Sequence, residues 1–297
     1  MGSSSIKKSI LKIISWLPLC FLTSISFAAE IALADQDNWV FSGMVSNEKG
    51  ERYAYFFQMQ HQGDAFKSAV VLFDMQSNEP IFQEESEEVH ISQAAEHWQV
   101  GQAFLHLNPI TGSWVFGLKT KEKQGFNFKI DMMNADATMV LQERLRPGLK
   151  MSINQVKALN GHIYLSKKQD QFVTAPHAWV RKITGSPQVE KHGSHEVSGL
   201  FCHFNDDSGF YAIKLLEPDA LQGALAGRFD GEGQLHPMSQ FIEVQRTTMG
   251  EWTIQSLLPQ YHLTLSHPVE QKLMTVGLVS QQQLQGACLL SQSIYTL

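Results

Sequence analysis

The stretch Arg52-Tyr53-Ala54-Tyr55-Phe56-Phe57-Gln58-Met59-Gln60 decides the fold class. Tyr53, Tyr55, Phe57 and Met59 alternate with Arg52, Ala54, Gln58 and Gln60, and Phe56 alone breaks the pattern. A period of two belongs to a strand with one face on a core and the other toward water. Phe126-Asn127-Phe128-Lys129-Ile130-Asp131 and Tyr261-His262-Leu263-Thr264-Leu265-Ser266 alternate in the same way. Turn signals recur between such segments: Asn47 to Gly50, Asn108-Pro109 to Gly112, Asn205 to Gly209, and Asp230 to Gly233. Short strands between polar turns predict an all-β protein built from antiparallel barrels or sandwiches. Helix is expected only as a minor component, around Gln93–His97 or Pro218–Gln222.

The chain is 297 residues long. Domains run to roughly 100–200 residues, which fits two consecutive β units. The Gly185–Gly199 stretch, rich in Gly, Ser, Pro, His and charge, interrupts the alternation and serves as the junction. The units are therefore expected at 37–185 and 186–297. Residues 198–216 restart with strand, turn and strand, as residues 39–60 do, which suits two copies of one barrel-like unit.

Composition narrows the function classes. Hydrophobic residues make up 43% and charged residues 18%, which excludes disordered, collagen-like and coiled-coil chains. Lys and Arg number 23 against 29 Asp and Glu, a net charge of −6 without a basic patch, so nucleic acid is not an expected partner.

Lys7, Lys8 and Lys12 precede an apolar run from Ile13 to Phe27, followed by small residues, the order of a secretory signal peptide. Cleavage fits after Ala28, or as late as Ala34. The run is shorter than the about 20 residues of a comfortable membrane span, and Pro18 interrupts it. Leu19 before Cys20 disfavours a lipoprotein, and Ile6 disfavours myristoylation at Gly2. Loss of residues 1–28 leaves 20 basic and 29 acidic residues, a net charge of −9, and no later segment is long and apolar enough to span a bilayer. The expected location is the periplasm or outside the cell. In that oxidising setting Cys202 and Cys288 either form a disulfide or stay as buried thiols, and without a CxxC they do not suggest a metal site.

Motifs of common enzyme classes are missing or incomplete. His195-Glu196-Val197-Ser198-Gly199 begins like a zinc-protease helix, but Gly199 stands where the second histidine belongs. His192, His195 and His203 are spaced for a metal but read more simply as loop histidines. Gly231 and Gly233 read as a hairpin turn rather than a dinucleotide loop. There is no phosphate-binding loop and no G-x-S-x-G elbow. Glu84, Glu85, Glu87 and Glu88 read as a solvated loop. No cofactor is expected. Aromatic residues on alternating strands either fill a barrel or line a cavity for one apolar ligand, and alternation does not separate the two.

Asp37-Asn38-Trp39-Val40-Phe41-Ser42-Gly43, then Gly50, then Arg52 to Gln60, resembles the opening of the AttH family, which includes carotenoid 1,2-hydratases (hydroxyneurosporene synthases) and plant-toxin hydratases. That opening reads E-W-W-Y-F-x-G before a glycine turn and an aromatic strand. Asp37, Trp39, Phe41 and Gly43 match or nearly match it, while Asn38 and Val40 depart from it. Phe204 to Leu216 and Gly227-Arg228-Phe229-Asp230-Gly231-Glu232-Gly233 are similar to the family's second unit. The resemblance implies two consecutive lipocalin-like barrels around an extended apolar substrate, and, in the carotenoid hydratases, addition of water to an isoprenoid double bond. Between their units those enzymes carry A-W-x-D-H-E-W. Ala178-Trp179-Val180-Arg181-Lys182-Ile183 keeps the Ala and Trp but none of the Asp, His and Glu.

The first expectation is thus an exported AttH-like protein that binds an apolar small molecule, a lipid or isoprenoid, through Trp39, Phe41, Tyr55 and Trp179. A second is a hydratase or isomerase, a hydro-lyase whose acid and base come from elsewhere, such as Asp131, Glu143 or His106. A third is an envelope scaffold with filled barrels and an exposed apolar patch.

Overall fold

A computed structural model describes residues 36–89, 97–131, 137–146, 148–166, 169–186, 194–216, 224–281 and 283–296. The described residues form two antiparallel sheets and no helix. The first sheet holds β1 (Gln36–Asn47), β2 (Arg52–Gln62), β3 (Ala65–Asp74), β4 (Glu79–Val89), β5 (His97–Val100), β6 (Ala103–Asn108), β7 (Ser113–Lys119), β8 (Gly125–Asp131), β9 (Ala137–Arg146), β10 (Leu149–Ser166) and β11 (Gln169–Gly185). The second holds β12 (Ser194–Phe204), β13 (Gly209–Leu216), β14 (Ala224–Phe229), β15 (Leu235–Pro237), β16 (Ile242–Arg246), β17 (Trp252–Ser256), β18 (Tyr261–Glu270), β19 (Met274–Gln281) and β20 (Leu284–Thr296). Of the segments expected to be helical, 93–96 and 218–222 lie outside the described residues, and His97 opens β5. The signal-peptide segment also lies outside them. Among the described residues no helix is long and apolar enough to cross a membrane.

The first sheet runs β4-β3-β2-β1-β11-β10-β8-β7-β6-β5, with β9 also on β10. β10 carries two neighbours in succession, β9 along Leu149–Val156 and β8 along Leu159–Tyr164. The change falls at Ala158, whose φ is 70°. The sheet curls until its edges meet: Ser68 on β3 donates to the Val100 carbonyl (3.2 Å), and the Gly101 amide donates to Glu88 on β4 (2.8 Å). Glu84 to Glu88 therefore sit on a strand, not on the loop expected from their charge.

The second sheet runs β15-β14-β13-β12-β20-β19-β18-β17-β16. Its first and last strands, β12 and β20, lie side by side with Cys202 opposite Cys288, and these two form a disulfide. That resolves the pair in favour of the disulfide over free thiols. Among the described residues no ladder joins β15 to β16, so this sheet remains a half-barrel. Asp230 to Gly233 form the expected turn between β14 and β15: the Gly233 amide donates to the Asp230 carbonyl (2.9 Å) at a φ of 79° that suits glycine.

Both sheets belong to one compact unit, 31–297, and pack on each other. This packing corrects one expectation about β2. Tyr53, Tyr55, Phe57 and Met59 fill the first barrel, but Ala54, Phe56, Gln58 and Gln60 do not face water. They are buried, because the second sheet covers the outer face of the first. Phe56 breaks the alternation for that reason: a strand covered on both faces has apolar residues on both. β8 and β18, by contrast, keep Lys129, His262 and Thr264 exposed as expected.

Candidate functional site

Cross-strand register stacks the inward residues of the half-barrel into rows. Ser198 on β12 pairs with Lys214 on β13 and Gln292 on β20, a polar row at the rim. Two residues deeper, Leu200 pairs with Ala212 and Leu290, and Ala212 pairs with Ala226 on β14. Two deeper again, Cys202 lies between Phe210 and Cys288. At a rise of about 3.3 Å per residue, successive rows are roughly 6.6 Å apart. The first two rows, with Ile242, Val244 and Trp252 on the opposite wall, line an open cup of about 560 Å³. Small-molecule sites occupy roughly 300–1,000 Å³ and are mostly apolar with a few placed polar groups. The disulfide, Phe204, Ile254 and Leu263 pack beneath as a floor. Phe241, 78% exposed, forms part of the lip.

The first barrel is built differently. Phe41 stacks on Phe116 with centroids 4.4 Å apart, Tyr55 meets Phe128 edge-on at 5.1 Å, and Trp39 lies 4.7 Å from Trp114. Each such pair adds about 0.5–1.5 kcal/mol beyond the burial itself. Trp39, Phe41 and Tyr55 thus belong to one aromatic cluster inside this barrel. Trp179 points the other way, into the contact between the sheets, where it stacks on Phe229 at 4.1 Å. None of these four residues lines the cup.

The contact between the sheets contains an unusual group of polar residues. Asn38 donates to Ser293 (2.6 Å), Gln58 donates to Asn38 (3.2 Å), and His203 Nε2 lies 2.9 Å from the Ser42 hydroxyl. Burial pushes the His203 pKa down to about 3, so this imidazole is neutral. Arg181, 1% exposed, donates from Nη1 to Ser291 (3.0 Å), and its guanidinium lies 5.6 Å from the Phe201 ring. Its Nε and Nη2 have no partner among the described residues, and burial lowers its pKa to about 10. Gly199 is needed beside it, since a Cβ there would sit 2.2 Å from Nη1. This cation stands where the resembled motif carries an acid.

At one end of the first barrel is a buried carboxylate that lies in the family-like opening of the sequence but is not nominated from it as an acid. Asp37, 1% exposed, lies 3.4 Å from Lys182 and accepts from Thr184 (2.9 Å). Burial raises its pKa despite the opposing pull of Lys182. Lys182 also sits 4.5 Å over the Trp39 ring, and His61, near enough to act on Asp37, lies tilted against Phe66 with ring centroids 4.5 Å apart. Asp37, Lys182 and the nearby His61 thus gather a carboxylate, an ammonium and an imidazole beside aromatic surface. The residues nominated from sequence do not gather in this way. Asp131 lies at the end of β8, and His106 faces His97 across β5 and β6 with ring nitrogens 3.2 Å apart. The side chain of Glu143 lies outside the described residues, as do His192 and the side chain of His195.

No protein-family profile and no curated protein matches this sequence. Solved structures do match its fold. A protein provisionally assigned as AttH from Nitrosomonas europaea superposes with a TM-score of 0.52 at 12% identity, over 87% of this chain and 92% of that one. Kievitone hydratase from Nectria haematococca superposes with a TM-score of 0.53 at 10% identity, over 86% of this chain and 88% of that one. The chain therefore shares the fold of both structures, two consecutive lipocalin-like antiparallel β units, as the resemblance implied.

Proposed function

We propose that this chain is an exported AttH-like protein that binds an apolar small molecule, a lipid or isoprenoid, in the cup of its half-barrel. The observation that carries this reading is the contrast between a barrel filled by rings and a half-barrel whose Leu200, Ala212, Ala226 and Leu290 leave about 560 Å³ open. Burial of apolar ligand surface contributes about 25 cal/mol per Å², so a cup of this size supports useful affinity without a charged anchor. Export is supported by the apolar N-terminal run and by the Cys202–Cys288 disulfide, which persists in oxidising compartments. N-terminal sequencing of protein recovered from the periplasm or medium should begin at Ala29 or Asp35; an intact Met1 in the cytoplasm overturns export.

Organic extraction of the purified protein followed by mass spectrometry tests the binding. A stoichiometric apolar molecule is expected, and an Ala212→Trp variant should lose it. A blank, repeated after incubation with mixed envelope lipids, would reject this reading.

Hydration is the second reading, and Asp37 is the observation in its favour. Its raised pKa, with His61 and Lys182 adjacent, supplies an acid and a base near apolar rings. The structural relationship to kievitone hydratase supports it as well. Hydration of the extracted ligand, monitored as an 18-mass-unit gain, would be abolished by Asp37→Asn if Asp37 is the proton donor. Turnover at an unchanged rate in that variant removes Asp37 from the chemistry.

A further inference from the structure

We infer that the ligand of the cup is a single-chain amphiphile with a carboxylate head, held at the rim by Lys214. This rests on the cup being the binding site and adds the class of molecule it selects. Three features of the rim carry it. First, the polarity of the cup is graded: the deepest rows are apolar, and the row nearest solvent is Lys214, Ser198 and Gln292. A molecule that matches this gradient is apolar along its body and polar at one end. Second, the charge is of one sign. Among the described residues Lys214 and Lys272 line the cup, while no Asp or Glu does, in a chain with a net charge of −6. Third, Lys214 is exposed and has no ion-pair partner among the described residues.

The neighbouring acids limit where the head can sit. Glu85, Glu87 and Glu196 line a separate cleft beyond the rim, which shares Lys272 and Gln292 with the cup. The Lys272 amide is already held by Glu85 (2.7 Å). Glu196 is one row outward from Ser198 on β12 and diagonal to Lys214. An anion held by Lys214 therefore sits on the cup side of that lysine, away from Glu196 and from the cleft, where Lys67 already pairs with Glu87 (3.3 Å). A diacyl phospholipid carries two chains and its charge between ester-linked groups, which suits a single cup of about 560 Å³ less well than one chain does. One acyl chain with a terminal carboxylate places its charge beside the lysine while its tail covers Leu200, Ala212 and Leu290.

The test uses the intact folded protein and displacement of a fluorescent apolar probe. Hexadecanoate should bind about tenfold more tightly than hexadecan-1-ol, a difference of one charge-assisted contact. Lys214→Gln, at an exposed position without an ion pair among the described residues, should bring the two within about twofold by weakening hexadecanoate alone. Added salt should narrow the gap in the wild type as well. Equal affinities in the wild type, or a gap that survives Lys214→Gln, overturns the inference. Binding only to phosphatidylglycerol vesicles, with none to soluble hexadecanoate, also overturns it. If neither amphiphile displaces the probe, the cup itself is rejected. If both do so equally and Ala212→Trp blocks both, the cup stands and only the head-group assignment falls.

Discussion

The two halves of this molecule solve the same problem in opposite ways. Each curls a sheet and must cover its inner face. The first does so with Phe41, Tyr55, Phe57, Phe116 and Phe128, packed ring on ring. The second sets Ala212 and Ala226 at inward positions, staples its floor with Cys202–Cys288, and leaves the upper part open. Filling an interior with side chains maximises dispersion and burial. Leaving it open forgoes part of that stabilisation, and the disulfide compensates through the unfolded state. The comparison shows that a barrel shape is not in itself a binding site. The size of the inward side chains decides.

Truncation gives the largest contrast. Phe116→Ala should lower the unfolding free energy by about 3–5 kcal/mol, because a buried ring leaves a void in a packed cluster. Leu290→Ala borders space that already exists and should lose clearly less in the same urea titration. Equal losses would mean that the cup is closed in solution. Reduction of the disulfide, or Cys202→Ser with Cys288→Ser, should lower stability by about 2–5 kcal/mol. The near-ultraviolet signal of the first barrel's aromatic cluster should outlast the second half's on denaturation of the reduced protein. Enlargement should then separate the halves again. Ala178→Phe, inside the packed barrel, should be destabilising by about 1–3 kcal/mol, whereas Ala212→Phe should cost well under about 1 kcal/mol because its ring enters the cup.

The smallest effect concerns the contact between the halves. His203 has a folded pKa of about 3, below the about 6.5 of an unfolded histidine. Between those values the unfolded chain binds the extra proton, so stability is full above pH 6.5 and falls as pH decreases, by up to about 1.4 kcal/mol per pH unit. His177, also lowered by burial, acts in the same direction, and Asp37, whose pKa is raised, opposes them only toward the carboxylate range. His203→Gln should flatten the slope between pH 6.5 and 5; an unchanged slope assigns it elsewhere.

Much of this architecture is legible in local sequence. The alternation at 52–60, 126–131 and 261–266 corresponds to β2, β8 and β18, and the turn signals fall between strands. Those features are local, set by side-chain period and backbone preference. The cup was not legible, because Ser198, Lys214 and Gln292 are neighbours only through the register of three strands from distant parts of the chain. The one available signal is size: Ala212 and Ala226 at inward positions of β13 and β14, in contrast to the rings that fill the first barrel. Asp37 is legible only as part of the opening that resembles the AttH family. Two residues before Trp39, it shares that residue's face of β1, and only the folded barrel shows that Lys182 and Thr184 cover it.

The disulfide has a topological consequence beyond its energy. Because it joins the first and last strands of the half-barrel, the polypeptide from Cys202 to Cys288 is a covalent ring containing β13 to β19. A single protease cut anywhere within that ring linearises it without releasing a fragment. The nicked protein would migrate as one species without reductant and as two with it, so a preparation judged only under non-reducing conditions can look whole while its ring is open.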